Sequence, residues 1–185
     1  MPIAAWIAIA VVVVLLFYVI RIFNNLVRNR NLTKEGWSGI DVQLRRRYDL
    51  IPNLLETVKG YAAHEKAIFD EVAAKRASAM GANTVTDQVQ ADKALSGALG
   101  RLFAIAEAYP ELKADANFKA LQDELSSIED QLQMARRYYN GTARELNILV
   151  ESFPSVLVAS TFGFKKEPYY ELGDPAAAAV PKVAF

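Results

Sequence analysis

An all-α chain, with a single transmembrane helix leading into an antiparallel four-helix bundle, is the fold class this sequence predicts. Three observations carry that expectation. Residues 3–20, IAAWIAIAVVVVLLFYVI, hold no charged side chain. Residues 118–153 carry apolar side chains at alternating steps of three and four, which a strand cannot produce. Further segments between these two repeat such spacings and are separated by short glycine- or proline-bearing stretches, as in a bundle with short loops. The expected bundle has long first and fourth helices and is followed by an irregular, aromatic-rich C-terminal tail. Its boundaries are read as an anchor at 1–22, a helical bundle at 23–153 and a tail at 154–185, of low complexity from about 174.

The anchor comes first. Its eighteen residues make a helix of ~27 Å, close to the hydrocarbon thickness of a bilayer. Ile3, Trp6, Val12, Leu15, Tyr18 and Ile20 sample every face of it, so no polar face remains for an amphipathic surface helix. Trp6 and Tyr18 lie near opposite ends, where amphipathic rings suit the two membrane interfaces. The run lacks the basic n-region and small-residue cleavage site of a removable leader. Val11 to Val14 are poor helix formers in water, but lipid leaves an unpaired backbone no alternative. Ala4 and Ala8 form a weak small-xxx-small spacing for close helix approach.

Charge sets the expected orientation. Arg21, Arg28, Arg30 and Lys34 follow the span, against Glu35 alone. The positive-inside rule then puts the bundle in the cytoplasm and the N-terminus outside, for a single-pass protein. The same four residues also lie where anionic headgroups would attract them, at roughly 1 kcal/mol each. Over the whole chain 21 basic residues balance 21 acidic ones, so global charge gives no argument for nucleic acid. Cysteine is absent, which excludes disulfides, iron–sulfur clusters and thiol catalysis.

The helices follow in order. Trp37, Ile40, Leu44, Ile51, Leu54, Val58 and Tyr61 form the first stripe, with Arg47 in one of its positions. No proline lies between Arg21 and Glu35, so this helix is expected to continue from the span. Pro52 should kink it. Gly60 and Ala62-Ala63-His64 mark a bend into a second helix, about His64 to Met80. After the loop Gly81–Thr84, a third helix is expected from about Thr86, as N-cap, to Tyr109. Val89, Leu95, Leu99, Leu102, Phe103 and Ala106 face inward on it. Pro110 ends that helix or opens the next turn. The fourth, about Asp115 to Ser152, carries Phe118, Leu121, Leu125, Ile128, Leu132, Ala135, Tyr139, Thr142, Leu146, Leu149 and Phe153 in register. The stripe holds its phase across Asn140-Gly141, so that pair reads as a weak point and not a break. Pro154 closes the helix.

Polar residues concentrate on two of these helices. Asp41, Arg45, Arg46, Arg47, Tyr48 and Asp49 lie on the first, and Glu124, Glu129, Arg136, Arg137, Tyr138 and Asn140 on the fourth. One reading is a structural network in which the two helices exchange ion pairs. Arg47, on the inner stripe, then requires an acidic partner from Glu124, Glu129 or Glu107, because an unpaired buried charge is costly. The other reading is a polar groove that binds a partner or an anionic ligand. In the tail, Phe153, Phe162, Phe164, Tyr169 and Tyr170 read either as a strap over the bundle or as an assembly contact.

Catalytic motifs are missing from the sequence. His64 is the single histidine, so a di-iron bundle site with two Glu-x-x-His motifs is excluded. His64-Glu65-Lys66-Ala67-Ile68 fails the zinc-protease pattern at its last position. No Walker loop, dinucleotide glycine pattern or nucleophile elbow occurs. No catalytic, cofactor-binding or metal-binding residue is therefore assigned.

Several blocks together resemble the LemA family of bacterial membrane proteins. They are WSGIDVQLRRRYDLIPNLLETVKGYAAHE at 37–65, EAYPELKA at 107–114, NFKALQDELSSIEDQLQMARRYYN at 117–140 and FPSVLVASTFGF at 153–164. The resemblance implies an N-terminal anchor, a four-helix LemA-like bundle and no established enzymatic activity. The expected function is a non-enzymatic, membrane-anchored scaffold that self-assembles at the bacterial inner membrane. Its expected partners are the lipid bilayer, further copies of the chain and other membrane proteins, with no nucleic acid and no cofactor. The alternative is a ligand-responsive sensor, or an unrecognised enzyme, using the polar face between the first and fourth helices.

Overall fold

The computed structural model describes residues 2–171, and all regular structure among them is helical. The low-complexity segment expected from 174 lies outside the described residues. Six helices follow in order: α1 Ile3–Lys59, α2 Lys66–Met80, α3 Val85–Ala106, α4 Pro110–Ala114, α5 Ala116–Glu151 and α6 Ser155–Thr161. The apolar run and the first stripe are one helix, α1, of 57 residues. It continues through Pro52, which carries no backbone donor, and it ends before Gly60. The stripe expected on the fourth helix belongs to α5, which runs unbroken through Asn140-Gly141.

Local chemistry explains the element ends. The N-cap of α3 is Thr84, two residues before the expected Thr86. Its Oγ1 accepts the Asp87 amide proton at 3.1 Å and donates to Asp87 Oδ2 at 2.7 Å, a capping pair that Thr86 and Val89 cannot make. Pro110 opens α4 at its first turn, where its missing N–H is no loss. Asp115 then caps α5, accepting from the Phe118 amide at 2.8 Å and from the Tyr61 hydroxyl at 2.9 Å. Those bonds, the Phe118 amide first, hold its carboxyl below the usual carboxylate range.

The tail departs from the irregular segment expected of it. Residues 155–161 form α6, with Ser155, Val158 and Ala159 buried. Pro154 cannot prolong α5, but the apolar spacing after it supports a new turn of helix. Gly163, at φ 71°, ends α6 in the left-handed conformation. The Phe164 amide thereby reaches back to the Ala159 carbonyl at 2.9 Å and turns the Phe164 ring inward.

Residues divide between two compact units. One comprises the chain up to Ile40 with Met134–Tyr169, and the other comprises Asp41–Gln133 with the segment from Tyr170. In the first, Leu26, Leu146, Val158, Ala159 and Phe164 form a buried cluster, flanked by Ile22, Phe23, Val27, Leu149 and Val150. In the second, Ile40's successors Leu44, Ile51, Leu54 and Val58 of α1 are buried, as are Phe69 and Val72 of α2 and Leu95, Leu99 and Leu102 of α3. There α2 packs on α3, and α3 on α4. Two residues placed on inner stripes are exposed instead, Tyr61 at 39% and Phe153 at 81%. Both lie just past the end of their helix, where the 3.6-residue period no longer governs direction.

Candidate functional site

The second unit holds a buried polar network. Arg47 of α1 donates from Nη1 to Asp92 Oδ1 at 2.8 Å and from Nη2 to Ser96 Oγ at 2.9 Å, both on α3. The same Nη1 lies 3.5 Å from Glu129 Oε2 on α5. Asp92 has no exposed surface, and its second oxygen accepts from the Tyr170 hydroxyl at 3.0 Å. Gln88 donates to the Tyr48 hydroxyl oxygen at 2.7 Å, and the Tyr48 carbonyl accepts from Arg76 Nε at 2.7 Å. Burial first, then the Asp92 carboxylate, pushes the Tyr48 hydroxyl up to about 12. The geometry follows from spacing: 88, 92 and 96 are successive i,i+4 positions, which align on one face of α3.

Each expected polar residue has a defined place. Of the three carboxylates proposed for Arg47, Glu129 meets it. Glu107 instead pairs with Lys113, and Glu124 lies exposed. The main partner is Asp92, which the sequence reading missed. Its signal was available: stepping back from Leu102, Leu99 and Leu95 by threes and fours lands on Asp92 and Gln88. Arg45 is exposed and pairs with Asp41 one turn earlier at 3.0 Å, while Arg46 donates to Gln131 at 3.1 Å. Asp49 and Arg137 are exposed, and Arg136 is buried in the first unit. Beside Arg47 lies an open cleft of about 760 Å³, whose walls include Ser96, Phe103, Gln122, Ser126 and Glu129. Among the described residues no group of three or more His, Cys, Asp or Glu is arranged to hold a metal ion.

The first unit contains the apolar run. Ile3, Trp6, Val12, Leu15, Tyr18 and Ile20 are each 52–80% exposed, so α1 presents this segment bare. It is the one helix among the described residues long and apolar enough to cross a membrane. Arg21, Arg28, Arg30 and Lys34 are exposed beyond it, and the Arg30 guanidinium lies 5.0 Å above the Phe164 ring. Gly36 allows α1 to meet α5 closely: a Cβ there would stand 3.0 Å from the Tyr139 Cα.

The tail is strapped to α5 by backbone bonds. Asn147 accepts the Glu167 amide proton at 2.8 Å and donates to the Glu167 carbonyl at 2.9 Å. The Tyr139 hydroxyl donates to the Pro168 carbonyl at 2.8 Å, and burial, then the Glu167 charge, pushes that hydroxyl up to about 12. Of the five aromatic residues proposed for assembly, Phe164 and Tyr170 are buried. Phe164 fills the core and Tyr170 serves Asp92, so neither ring is available to a partner. Phe153, Phe162 and Tyr169 are exposed.

Comparison with known proteins places these features in a family. The profile of the LemA family matches residues 36–185. The magnetosome protein MamQ 2 of Paramagnetospirillum magneticum is 27% identical over 175 residues, covering 80% of this chain and 64% of its own length. The magnetosome protein MamQ of Magnetospirillum gryphiswaldense is 28% identical over 159 residues, covering 72% and 58%. Protein LemA of Metamycoplasma hominis is 25% identical over 137 residues, covering 74% and 63%. The chain thus spans less than two thirds of the length of the curated relatives it matches.

Proposed function

The chain belongs to the LemA family, and from that premise we propose that it is a membrane-anchored, non-enzymatic interaction protein that assembles with copies of itself at the bacterial inner membrane. The observation that carries this reading is the bare apolar segment of α1. Eighteen apolar residues, none of them buried, are continuous with the helix that contributes Leu26 and Ile40 to the cores. Water is the wrong solvent for such a surface, at ~25 cal/mol per Å² exposed, and lipid is the right one. The magnetosome names of the relatives support a place among envelope or organelle proteins over one in metabolism.

An antiparallel bundle is supported by the way contacts step between α1 and α5 in the first unit. Gly36 meets Tyr139, whereas Leu26 shares a cluster with Leu146. Self-assembly is supported by Met134, Tyr138 and Ile148. They are 47–57% exposed on one arc of α5, large apolar side chains set among the exposed Arg137, Arg144 and Glu145. Mass measurement in mild detergent, with crosslinking in the native membrane, tests it. Oligomers are expected, and a strict monomer that captures nothing would sink the assembly reading. A reporter fused after Phe185 should be active in the cytoplasm, as the basic residues after the span require. The sensor or enzyme alternative has less support, because Arg45 and Arg46 lie on the surface and Arg47 is held by Asp92, Ser96 and Glu129.

A further inference from the structure

We infer that the corner joining α5 to α6 is a second membrane contact, inserted into the lipid interface beside the end of the spanning helix. The inference rests on the anchoring proposed above and adds to it a surface outside the span. Phe153, Leu157 and Phe162 are 81%, 60% and 57% exposed. They belong to a stretch of thirteen uncharged residues, 152–164, that ends at Lys165 and Lys166. On α6 the opposite face, Ser155, Val158 and Ala159, is buried, and Leu157 stands outward beside the uncharged Ser160 and Thr161.

Position decides what covers the outward face. The Phe162 ring lies 4.9 Å from that of Phe23, edge to face. Phe23 stands three residues past Ile20, ~4.5 Å along the helix axis from the end of the apolar run. Following α5 toward its end also approaches the span. Leu146 shares the cluster of Leu26, and Leu149 and Val150 pack on that cluster together with Ile22 and Phe23. Phe153 comes after them. The headgroup layer is ~5–8 Å deep on each side of the hydrocarbon, so a corner at this height falls inside it once the span is in place. Aromatic side chains are favoured at that depth, and the lysines that follow suit an anionic surface. A lipid surface, continuous with the one the span requires, therefore fits the corner better than a second copy of the chain.

The absence of cysteine allows a direct test on the full chain. Single cysteines at Phe153, Leu157, Val12 and Arg137 are labelled with a polarity-sensitive fluorophore. Each variant is reconstituted in phosphatidylcholine–phosphatidylglycerol vesicles carrying lipid brominated near the carbonyl or near the chain end. Labels at 153 and 157 should be quenched roughly twofold more by the shallow bromine than by the deep one, the label at Val12 in the reverse order, and the label at Arg137 by neither. Quenching at Val12, with the corner reached only by aqueous iodide, would overturn the inference and leave the anchor intact. A corner shielded from both lipid and iodide would overturn it in favour of a second copy. No lipid quenching at Val12 would remove the anchor itself. Circular dichroism of each labelled chain confirms that the helices are retained, and Leu157, with no packing role on the buried face, guards against local misfolding at Phe153.

Discussion

In the first unit Asn147 and Tyr139 meet neutral backbone, alongside a buried Arg136, whereas in the second a buried arginine meets a buried carboxylate. Asn147 and Tyr139 are satisfied by amide and carbonyl groups of residues 167 and 168. Arg47 and Asp92 are satisfied by each other, with Ser96, Glu129 and Tyr170 completing the set. The difference lies in what a single substitution leaves behind. Removing an amide or a hydroxyl strands a neutral group, at roughly 1–3 kcal/mol. Removing one ion strands its buried partner, at roughly 3–5 kcal/mol. The Arg47–Asp92 network should therefore be more brittle to point mutation than the Asn147 and Tyr139 contacts.

The largest expected effect breaks that contrast most directly. Arg47→Met should destabilise the chain by about 3–5 kcal/mol, because the fully buried Asp92 carboxyl loses its guanidinium partner. Pairing it with Asp92→Leu should restore most of that loss, since well-packed apolar residues replace buried ion pairs at little cost. Thermal and denaturant unfolding in detergent checks both. If the double variant is as unstable as the single one, charge is not the reason for the brittleness.

High pH probes the two units through one tyrosine each. Tyr48 and Tyr139 are raised from 10.0 to about 12. An acid raised in the fold holds its proton more tightly there, so its contribution is complete below pH 10. It is lost as pH climbs through about 12, to the extent of about 2–3 kcal/mol for each group. Alkaline unfolding should be steep over that window, and Tyr48→Phe and Tyr139→Phe should each flatten it. An unchanged profile in both variants would show that other groups drive the transition.

Two glycine comparisons sharpen the picture at smaller magnitude. Gly36→Ala should cost about 1–3 kcal/mol, since the added methyl meets the Tyr139 Cα at 3.0 Å and Tyr138 Cδ1 at 3.3 Å. Gly141 in the first unit and Gly100 in the second have open space where a Cβ would go. Alanine at either should stabilise its helix by about 1 kcal/mol, equally in both units. Unequal gains would mean that the two halves of the long helices differ in more than their buried polar groups.

Much of the fold was legible because helical periodicity is local. The apolar run, the start of the loop at Gly60 and the stripe from Phe118 to Leu149 all follow from side chains three or four residues apart. The candidate site was half legible. Arg47 stood out as a cation on an apolar stripe, and its need for a carboxylate follows from solvation alone. The partner did not stand out, because Asp92 is a charged residue on the α3 stripe that Leu95, Leu99 and Leu102 continue. Phe153, Phe162 and Phe164 were equivalent as aromatic residues in a tail. A left-handed glycine at 163 separates them, turning Phe164 inward while Phe162 stays out.

By itself the sequence determined that the chain is helical, that residues 3–20 call for lipid and that a buried arginine calls for an acid. Each of these is a property of a residue and its near neighbours along a helix, or of its transfer out of water. Only the tertiary structure decided that the acid is Asp92, forty-five residues away, and that the tail runs back along α5 to be held by Asn147. It also decided that Phe162, after α6, meets Phe23 just past the apolar run. Those pairings are between distant positions, and distance along the chain carries no information about which of several chemically adequate partners the packing brings within reach.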